Sequence, residues 1–402
     1  MQIQSAALAF NVSRKRPSRV VPVHSFKRPK IRLGYFSADF YRHAAMNLMA
    51  ELFELHDRSM FELVAVSYGF PHEDDVRARV KKAFDQFIEA KDMSDGDVAQ
   101  RSRESEIDIA IDLTGHTAHS RVGIFARGVA PLQTQYLGFP GSMGSSVYDY
   151  VIGDRIVIPE REIQNYPEKI IFMPDCFQVN DRSRVVAAPK NRTEYGLPDE
   201  GFIFASFNQS HKFNPPRFKL WMSILRQVPG SVLWLVSTHP LQIANLRAFA
   251  GECGVDPNRI IFASQIAYAD HLARYQIVDL ALDTLPFNGG ATTSDALWAG
   301  APVLTQVGDS YAGRMTASLL TAAGLPELVT ESPAAYERLA VELALERQKL
   351  KLMRQTLAAN RLTCSLFDSR RFTRHLEIAY QQIWQRHKSG QTPDHIYVSA
   401  VP

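Results

Sequence analysis

Short apolar runs alternate with amphipathic stretches along most of this chain. The runs KIRLGYFSADF, FELVAVSYG and EIDIAIDLTGH are strand-sized, and each ends in polar residues. Between the first two, AAMNLMAELFELHD places its apolar residues at the three- and four-residue spacing of a helix with one buried face. Such alternation is typical of βαβ units, which form a parallel sheet covered by helices. The pattern therefore predicts an α/β fold.

A second series of the same kind begins near Phe202. FIFASFNQSHKFNP, SVLWLVST, IIFAS, VDLALDT and PVLTQVG are predicted strands, and RFKLWMSILRQV is a predicted helix that ends before Pro229 and Gly230. Residues 178–200, between the two series, are polar and rich in turn formers. We therefore expect two Rossmann-like domains. The expected parts are a basic flexible tail at 1–30, an N-terminal half at 31–190, a C-terminal half at 191–365, and a helix and tail at 366–402 that pack back across the halves.

The composition is that of an ordinary globular protein. A length of 402 residues is too great for one compact core, which agrees with two domains. The longest apolar runs are strand-sized and interrupted by charges, so we expect no membrane span and no secretory signal. The three cysteines are far apart and fit neither a disulfide framework nor zinc spacing. We therefore expect no bound metal and a cytoplasmic location.

Positive charge is concentrated at the start of the chain. Residues 1–32 contain no acidic residue, whereas the net charge of the whole chain is only +3, so the remainder is net acidic. The basic residues of this segment are Arg14, Lys15, Arg16, Arg19, Lys27, Arg28, Lys30 and Arg32. Such a segment can bind nucleic acid or an acidic partner, or it can be a solvated leader. Because its aromatic residues are not interleaved for stacking on bases, we expect no nucleic-acid binding.

Polar segments follow two of the predicted strands in the N-terminal half, where ligands of open α/β sheets bind. Asp39 and His43 follow the first strand, and this pair can transfer a proton or orient a hydroxyl. Alternatively, Asp39 caps a helix and His43 is a satisfied histidine beside it. His116 follows a second strand, and Gly138 lies in the glycine-rich segment LGFPGSMGS. These glycines let a backbone approach a sugar or phosphate closely, or they form tight turns.

Two further polar segments lie in the C-terminal half. Lys212 follows a predicted strand beside Gln209 and His211, and it can neutralise a phosphate or lie solvated on the surface. The patterns of a P-loop and of a dinucleotide-binding glycine motif do not occur, which argues against nucleotide hydrolysis and dinucleotide redox chemistry.

The segment FNGGATTSDALWAGAPVLT is a glycine-rich turn that leads into a predicted helix. The unpaired N–H groups at such a helix start, together with the helix dipole, suit a phosphate. Alternatively Thr292, Thr293 or Ser294 caps the helix, with Asp295 favourable in the first turn. The two interpretations are compatible, because a helix start that is capped can also bind an anion.

Six segments, in this order, resemble the catalytic region of the protein O-GlcNAc transferase family, glycosyltransferase family 41, which includes SPINDLY-like members. They are LGYFSADFYRHAAMN, LQTQYLGFPGSMGSSVYDYVIGD, ASFNQSHKFNP, SVLWLV, NRIIFASQIAYADHLARYQIVDLALDTLPFNGGATTSDALWAGAPVLT and YQQIWQRHKSGQTPDHI. The resemblance extends from about Ile31 to about Ile396. It implies a GT-B glycosyltransferase with two facing Rossmann-like domains, an active site in the cleft between them, and a UDP-sugar bound mainly by the C-terminal half.

The resemblance also implies roles for individual residues. Those it assigns to the nucleotide sugar are Lys212 and Gln209 at the diphosphate, His271 and Arg274 at the uracil, Asp295 at the ribose, Gly290, Ala291 and Thr292 at the phosphates, and His116 and Gly138 in the sugar pocket. His43 is the implied catalytic base, with Asp39 or the phosphate as alternative proton acceptors. No metal or other cofactor is implied. The implied reaction transfers GlcNAc from UDP-GlcNAc to Ser or Thr hydroxyls of proteins with inversion.

The chain departs from the family pattern at several positions. Gly290 and Ala291 stand where the family commonly has His and Thr, and Tyr268 replaces a common lysine. Arg42 and Ala45 flank His43 in place of an amide and a hydroxyl residue. The TPR repeats that present protein acceptors in the family do not occur in this sequence, so we expect a separate TPR protein or another acceptor. The alternatives are transfer of glucose to Asn, transfer of fucose from GDP-fucose, a glycan acceptor, or a catalytically silent sugar-nucleotide-binding module.

Overall fold

A computed structural model describes residues 28–70 and 72–401 of the protein. The chain forms two compact units. The first unit combines the residues up to Arg182 with residues 368–402, and the second unit is Ser183–Phe367. The domain limits expected at 31–190, 191–365 and 366–402 stay predictions.

Most of the expected basic tail, residues 1–27, lies outside the described residues. Arg28 and Arg32, at the end of that basic segment, are bound to the first unit. Arg28 Nη2 lies 3.1 Å from Asp108 Oδ1, and Arg32 Nη2 lies 2.9 Å from Glu62 Oε2. These two charges are therefore paired within the fold.

The described residues form fourteen strands and twelve α-helices. The strands are β1 (Ile31–Ser37), β2 (Phe61–Ser67), β3 (Gln86–Glu89), β4 (Ile109–Asp112), β5 (Leu132–Gln135), β6 (Tyr150–Asp154), β7 (Lys169–Met173), β8 (Ile203–Ser206), β9 (Val232–Val236), β10 (Ile260–Ala263), β11 (Leu280–Leu282), β12 (Val303–Gln306), β13 (Val329–Thr330) and β14 (Ile396–Tyr397). The helices are α1 (Ala44–Leu55), α2 (Asp75–Ala83), α3 (Asp95–Glu104), α4 (Val122–Ala126), α5 (Pro215–Gln227), α6 (Pro240–Glu252), α7 (Tyr268–Arg274), α8 (Ala291–Trp298), α9 (Met315–Ala323), α10 (Pro333–Leu345), α11 (Arg347–Asn360) and α12 (Ser369–Lys388).

The first unit is built on a parallel sheet in the order β14-β7-β6-β5-β4-β1-β2-β3. β1 and β2 are almost wholly buried, as expected for strands covered on both faces by helices. The chain runs outward in one direction from β1 and in the other from β4, so the strand order reverses between them. Ligands of open α/β sheets bind at such a switch point, beyond the strand ends.

The C-terminal helix α12 belongs to the first unit although it follows the second unit in sequence. It buries an apolar face that includes Phe372, Leu376 and Tyr380. Its Glu377 Oε1 accepts the Asp57 N–H at 2.7 Å and lies 2.9 Å from His56 Nδ1. Polar and apolar contacts together therefore fix α12 to the C-terminal end of α1.

The second unit contains a parallel sheet in the order β10-β9-β8-β11-β12-β13. Its strand order reverses between β8 and β11. Trp221 and Trp234 are fully buried in its core. The predicted α/β class with two Rossmann-like domains is confirmed. None of the helices in the described ranges combines the length and the apolar character needed to cross a bilayer.

Candidate functional site

The switch point of the second unit brings Lys212 to the loop that joins β11 to α8. Lys212 belongs to a short 3₁₀ turn, Ser210–Lys212, that follows β8. Its Nζ donates to the Asn288 carbonyl at 3.2 Å and lies 4.3 Å from the centre of the Phe287 ring. Burial lowers the pKa of Lys212, and the Asp283 carboxylate opposes this shift. Lys212 is therefore half-buried at the loop, and the alternative of a solvated surface lysine is wrong.

No side chain caps the N-terminus of α8, where the N-cap residue is Gly290. Thr293 Oγ1 instead lies 2.9 Å from Thr316 Oγ1. The backbone N–H groups of Ala291, Thr292 and Thr293 have no acceptor within the described ranges. The alternative in which a hydroxyl caps this helix is therefore wrong, and the free amides together with the helix dipole favour an anion here.

Asp283, directly after β11, fixes the loop before α8. Its Oδ1 accepts the Gly289 N–H at 2.8 Å, and its Oδ2 accepts the Thr305 hydroxyl at 2.7 Å. A Cβ atom on Gly289 would lie 2.5 Å from Thr293 Oγ1, so the loop approaches α8 too closely for a larger residue. Sequence analysis missed Asp283, although its position as the first polar residue after a buried strand was a usable signal.

His271 and Arg274 both lie on α7, but their environments differ. The His271 ring centre lies 5.4 Å from that of Phe207. Burial, reinforced by the Arg274 charge, lowers the pKa of His271 to about 4, so the ring is neutral at physiological pH. Arg274 is only 2% exposed, and its Nη2 donates to the Ser264 carbonyl. Its guanidinium lies 5.9 Å from the centre of the Trp234 ring, which makes Arg274 largely part of the local core.

Asp295 is buried in α8 and already has two partners. Its Oδ1 accepts the Tyr268 hydroxyl at 2.7 Å and Arg184 Nη1 at 3.0 Å. Burial raises the pKa of Asp295, whereas Arg184 and Tyr268 lower it. Asp295 is the fifth residue of α8, outside the first turn in which sequence analysis placed it. Sequence analysis also missed Arg184, because it lies in a polar connecting segment without periodicity.

The remaining nucleotide candidate, Gln209, is exposed at the start of the 3₁₀ turn that carries Lys212, and its side chain does not cap that turn. Tyr275 links the two helices of the site, because its hydroxyl donates to the Thr292 carbonyl at 3.3 Å. The structure therefore gathers Lys212, α7 and the start of α8 at one edge of one sheet.

His43 and Asp39 lie beyond β1 in the first unit. His43 is the N-cap of α1, and its Nδ1 accepts the Ala45 N–H at 3.3 Å. Asp39 Oδ2 lies 3.8 Å from the same nitrogen. While Nδ1 accepts this N–H, the neutral ring carries its proton on Nε2. The alternative in which Asp39 caps this helix is therefore wrong, because His43 itself is the cap. The His43 ring still has the Asp39 carboxylate within reach.

His116 and Gly138 lie at the neighbouring strand ends β4 and β5. His116 Nε2 donates to the Met143 carbonyl at 3.1 Å, which ties the two segments together. A Cβ atom on Gly138 would lie 2.0 Å from the Leu113 carbonyl oxygen, so close backbone packing requires this glycine. Ala38 N–H donates to Thr114 Oγ1 at 3.2 Å, so the segments after β1 and β4 meet at the switch point.

The described ranges contain no group of three or more His, Cys, Asp or Glu side chains arranged to hold a metal ion.

Two parallel α/β units, with an open helix start at the switch point of the second, are characteristic of the GT-B class of glycosyltransferases. The chain belongs to glycosyl transferase family 41, whose sequence profile matches residues 9–193 and 182–376. The family predicted from the sequence is therefore confirmed.

The relatives and the solved structures agree with this membership. A probable UDP-N-acetylglucosamine–peptide N-acetylglucosaminyltransferase SEC of Arabidopsis thaliana is 37% identical over 93% of this chain and 39% of that protein. A UDP-N-acetylglucosamine–peptide N-acetylglucosaminyltransferase of Caenorhabditis elegans is 26% identical over 91% of this chain and 42% of its own length. The chain thus spans about two fifths of the length of these curated relatives. A mutant of the Thermobaculum terrenum O-GlcNAc transferase matches with a TM-score of 0.85 and 29% identity over 93% of this chain and 71% of that chain.

Proposed function

We propose that the protein is an inverting glycosyltransferase that moves GlcNAc from UDP-GlcNAc to Ser or Thr hydroxyls of proteins, without a metal ion. The observation that carries this proposal is the open start of α8 beside Lys212 at the switch point between β8 and β11. Backbone amides and one ammonium group are the chemistry that a diphosphate needs. The names of the relatives, which specify UDP-N-acetylglucosamine and peptide, support the choice of donor and acceptor.

The proposal divides the donor among the residues of the second unit. The assignments are Lys212, Gln209 and the amides of Gly290, Ala291 and Thr292 at the diphosphate, His271 and Arg274 at the uracil, and Asp295 at the ribose. A neutral His271 ring offers a flat face to the uracil at low desolvation cost. In the first unit, His116 and Gly138 are assigned to the sugar.

The proposed reaction is one displacement. The acceptor oxygen attacks the anomeric carbon, the bond from that carbon to the diphosphate oxygen breaks, and UDP leaves with the electron pair. Fixed amides and Lys212 stabilise the charge that develops on the diphosphate. The acceptor proton passes to His43 Nε2 if Nδ1 releases the Ala45 N–H and donates to Asp39, which lies 3.8 Å away. Asp39 itself and the phosphate are the alternative acceptors.

The donor site is tested with Lys212→Ala and the matched control Lys219→Ala, an exposed lysine on α5. Calorimetric titration with UDP should show a loss of affinity of about tenfold to a hundredfold for Lys212→Ala, because one charge-assisted contact is removed. Lys219→Ala should bind UDP like the wild type. Unchanged affinity in Lys212→Ala refutes the phosphate site, and a wild-type preference for GDP refutes the uracil assignment.

The transfer step is tested with His43→Gln and the neighbouring control Arg42→Ala. With UDP-GlcNAc and a panel of acceptor proteins, intact-mass measurement should show transfer by the wild type, reduced about a hundredfold or more in His43→Gln. The affinity for UDP should not change in either variant. Full activity of His43→Gln moves the base role to Asp39 or to the phosphate.

A second candidate is a sugar-nucleotide-binding module without catalysis. It is favoured by the hydrogen bond in which His43 Nδ1 caps α1, because this bond occupies the nitrogen that must turn to Asp39. This candidate predicts UDP binding without transfer to any acceptor and without hydrolysis of UDP-GlcNAc.

We propose further that acceptor proteins are recognised through TPR repeats supplied outside these 402 residues.

We also propose that the protein works in the cytoplasm. Cys176, Cys253 and Cys364, which all lie in the described part of the chain, form no disulfide, and this supports a reducing compartment. Cell fractionation that recovers the protein with secretory markers would contradict this location.

A further inference from the structure

Arg184 lies where the chain enters the second unit, and its side chain is directed onto α8. The side chain is 3% exposed. Its Nη1 donates to Asp295 Oδ1 at 3.0 Å and to Ser294 Oγ at 3.3 Å. The Arg184 carbonyl accepts the Trp298 indole N–H at 3.1 Å. Both the backbone and the guanidinium of Arg184 are therefore attached to the helix that begins at the candidate phosphate site.

Aromatic rings hold the guanidinium in place. Its central carbon lies 5.1 Å from the centre of the Trp298 ring and 5.8 Å from that of Phe367. A planar guanidinium packed in this way has few alternative orientations. Arg184 therefore loses its conformational freedom during folding and is already directed at Asp295 before any ligand binds.

The two oxygens of Asp295 have different environments. Oδ1 accepts both Arg184 Nη1 and the Tyr268 hydroxyl. Oδ2 has no hydrogen-bond partner within the ranges that the structure describes, and the side chain retains 11% exposure. The carboxylate is thus held by one oxygen and offers the other to a donor.

We propose that Arg184 is a positioning residue for the donor: it orients the Asp295 carboxylate so that Oδ2 accepts a hydrogen bond from a ribose hydroxyl of the nucleotide. This inference rests on the proposed function, which assigns Asp295 to the ribose. Tyr268 shares the orienting role but carries no charge at neutral pH. Arg184 is the group that compensates the buried negative charge of Asp295.

The test compares UDP with its 2′,3′-dideoxy analogue, which has the same base and diphosphate but no ribose hydroxyls. Calorimetric titrations use the full chain as wild type, Arg184→Met and Arg184→Lys. The wild type should prefer UDP by about tenfold to a hundredfold, the range for hydrogen bonds to a charged acceptor. Arg184→Met should lose most of this preference through weaker binding of UDP alone. Arg184→Lys should retain part of it, because the charge remains without the planar geometry.

Arg361→Met is the matched control. The Arg361 guanidinium also lies over Trp298, at 5.5 Å, and its Nη1 donates to the Trp298 carbonyl. Among the described residues, it forms no hydrogen bond or ion pair with Asp295. This variant should therefore prefer UDP like the wild type. Equal preference for UDP in the wild type and in Arg184→Met, or an equal loss of affinity for both ligands, would overturn the inference.

A pH series gives a second measure that a structural role would not change. The groups that face Asp295 are Arg184, Tyr268 on α7 and Tyr275 after it. Without Arg184, Asp295 should hold its proton to higher pH, because burial then acts with less opposition. The preference of Arg184→Met for UDP should therefore recover as pH rises, whereas that of the wild type should stay level. A level profile in Arg184→Met overturns the inference.

Two failures are distinguishable. A wild type that binds no UDP refutes the proposed function, and the role of Arg184 falls with it. A wild type that binds UDP and its dideoxy analogue equally refutes the role of Arg184 while leaving the phosphate site intact. If Arg184→Met does not fold, as judged by circular dichroism, Arg184→Lys carries the comparison, and a full wild-type preference in that variant overturns the inference.

Discussion

Burial determines the charge of His271 in the candidate uracil site. The His271 ring lies against the rings of Phe207 and Tyr275, and burial is the main reason that its pKa falls to about 4. Because the ring is neutral over the range in which cells operate, it can lie against a base without paying to desolvate a charge. Because burial lowers this pKa relative to the unfolded chain, it also makes the stability of the protein depend on pH.

We predict that His271 makes the protein less stable in acid. The folded pKa of about 4 is below the unfolded value of 6.5, so the unfolded chain binds more protons between these values. The free energy of unfolding should therefore fall as pH decreases from about 6.5 to about 4, by about 3 kcal/mol in total. Relative to His271→Gln, the wild type should lose that much more stability over this range.

Urea denaturation followed by tryptophan fluorescence between about pH 4 and 7.5 measures this difference, since Trp221, Trp234 and Trp298 belong to the second unit. His211→Gln, at an exposed histidine of the same unit, is the control and should follow the wild type. Parallel pH profiles for the wild type and His271→Gln would contradict the prediction.

The loop before α8 leaves the first backbone amides of this helix free to bind an anion. Asp283 holds the Gly289 N–H, and Gly289 packs directly against Thr293. The amides of the first turn are left without partners as a result of this packing. Local sequence predicted the anion site but not the open cap, because the alternative partner of Thr293 is Thr316, which is distant in sequence.

We predict that Gly289→Ala weakens both stability and UDP binding. The new Cβ would lie 2.5 Å from Thr293 Oγ1, so the start of α8 must shift, at a cost of about 1–3 kcal/mol. The displaced amides should lower the affinity for UDP. Gly251→Ala, in α6, is the control: its Cβ meets only Pro257 at 3.7 Å, and it should be neutral or stabilising. Thermal unfolding and calorimetric titration measure both effects, and equal behaviour of the two variants would refute this account of the loop.

Glu377 is one of the polar attachments of α12 to the rest of the first unit. Glu377→Ala leaves the buried His56 Nδ1 without its partner, and an unsatisfied buried group costs about 1–3 kcal/mol, whereas the exposed Asp57 N–H can bond to water instead. We expect a loss of about 1–3 kcal/mol in the free energy of unfolding of the first unit. Arg370→Ala, at an exposed position of the same helix, should change it little. Denaturation followed at Trp384 distinguishes them, and similar midpoints would contradict this role of Glu377.

At the scale of the whole molecule, the chain leaves the first unit and returns to it. The first unit is therefore discontinuous in sequence, whereas the second unit is one continuous segment with its own sheet and core. The residues assigned to UDP all belong to the continuous segment. We therefore expect that truncation separates the proposed nucleotide binding from completion of the first unit.

We predict that residues 183–367 fold alone and bind UDP within about tenfold of the affinity of the full chain, since a segment of this length can bury its own core. The same fragment should transfer no sugar, because His43 and Asp39 are absent. Calorimetric titration measures binding, with the Lys212→Ala fragment as the control. A folded fragment without affinity for UDP would show that the first unit supplies part of the nucleotide site.

Much of the fold and the family followed from local pattern. Apolar periodicity predicted the two βαβ series, and polar residues at strand ends marked both switch points, because strand burial and strand direction leave a regular trace in sequence. Six ordered segments predicted the family, which the matches to relatives and to a solved structure confirm.

Long-range contacts determined the rest. They join α12 to α1, direct Arg184 onto Asp295, leave α8 without a cap, and set the environments in which His271 is neutral and Arg274 is buried. Each of these features depends on side chains that are separated in sequence and meet only after the sheets have formed. Periodicity reports which face of an element is buried, but it does not report which distant residue will lie against it, and the charge and hydrogen bonding of this site depend on those neighbours.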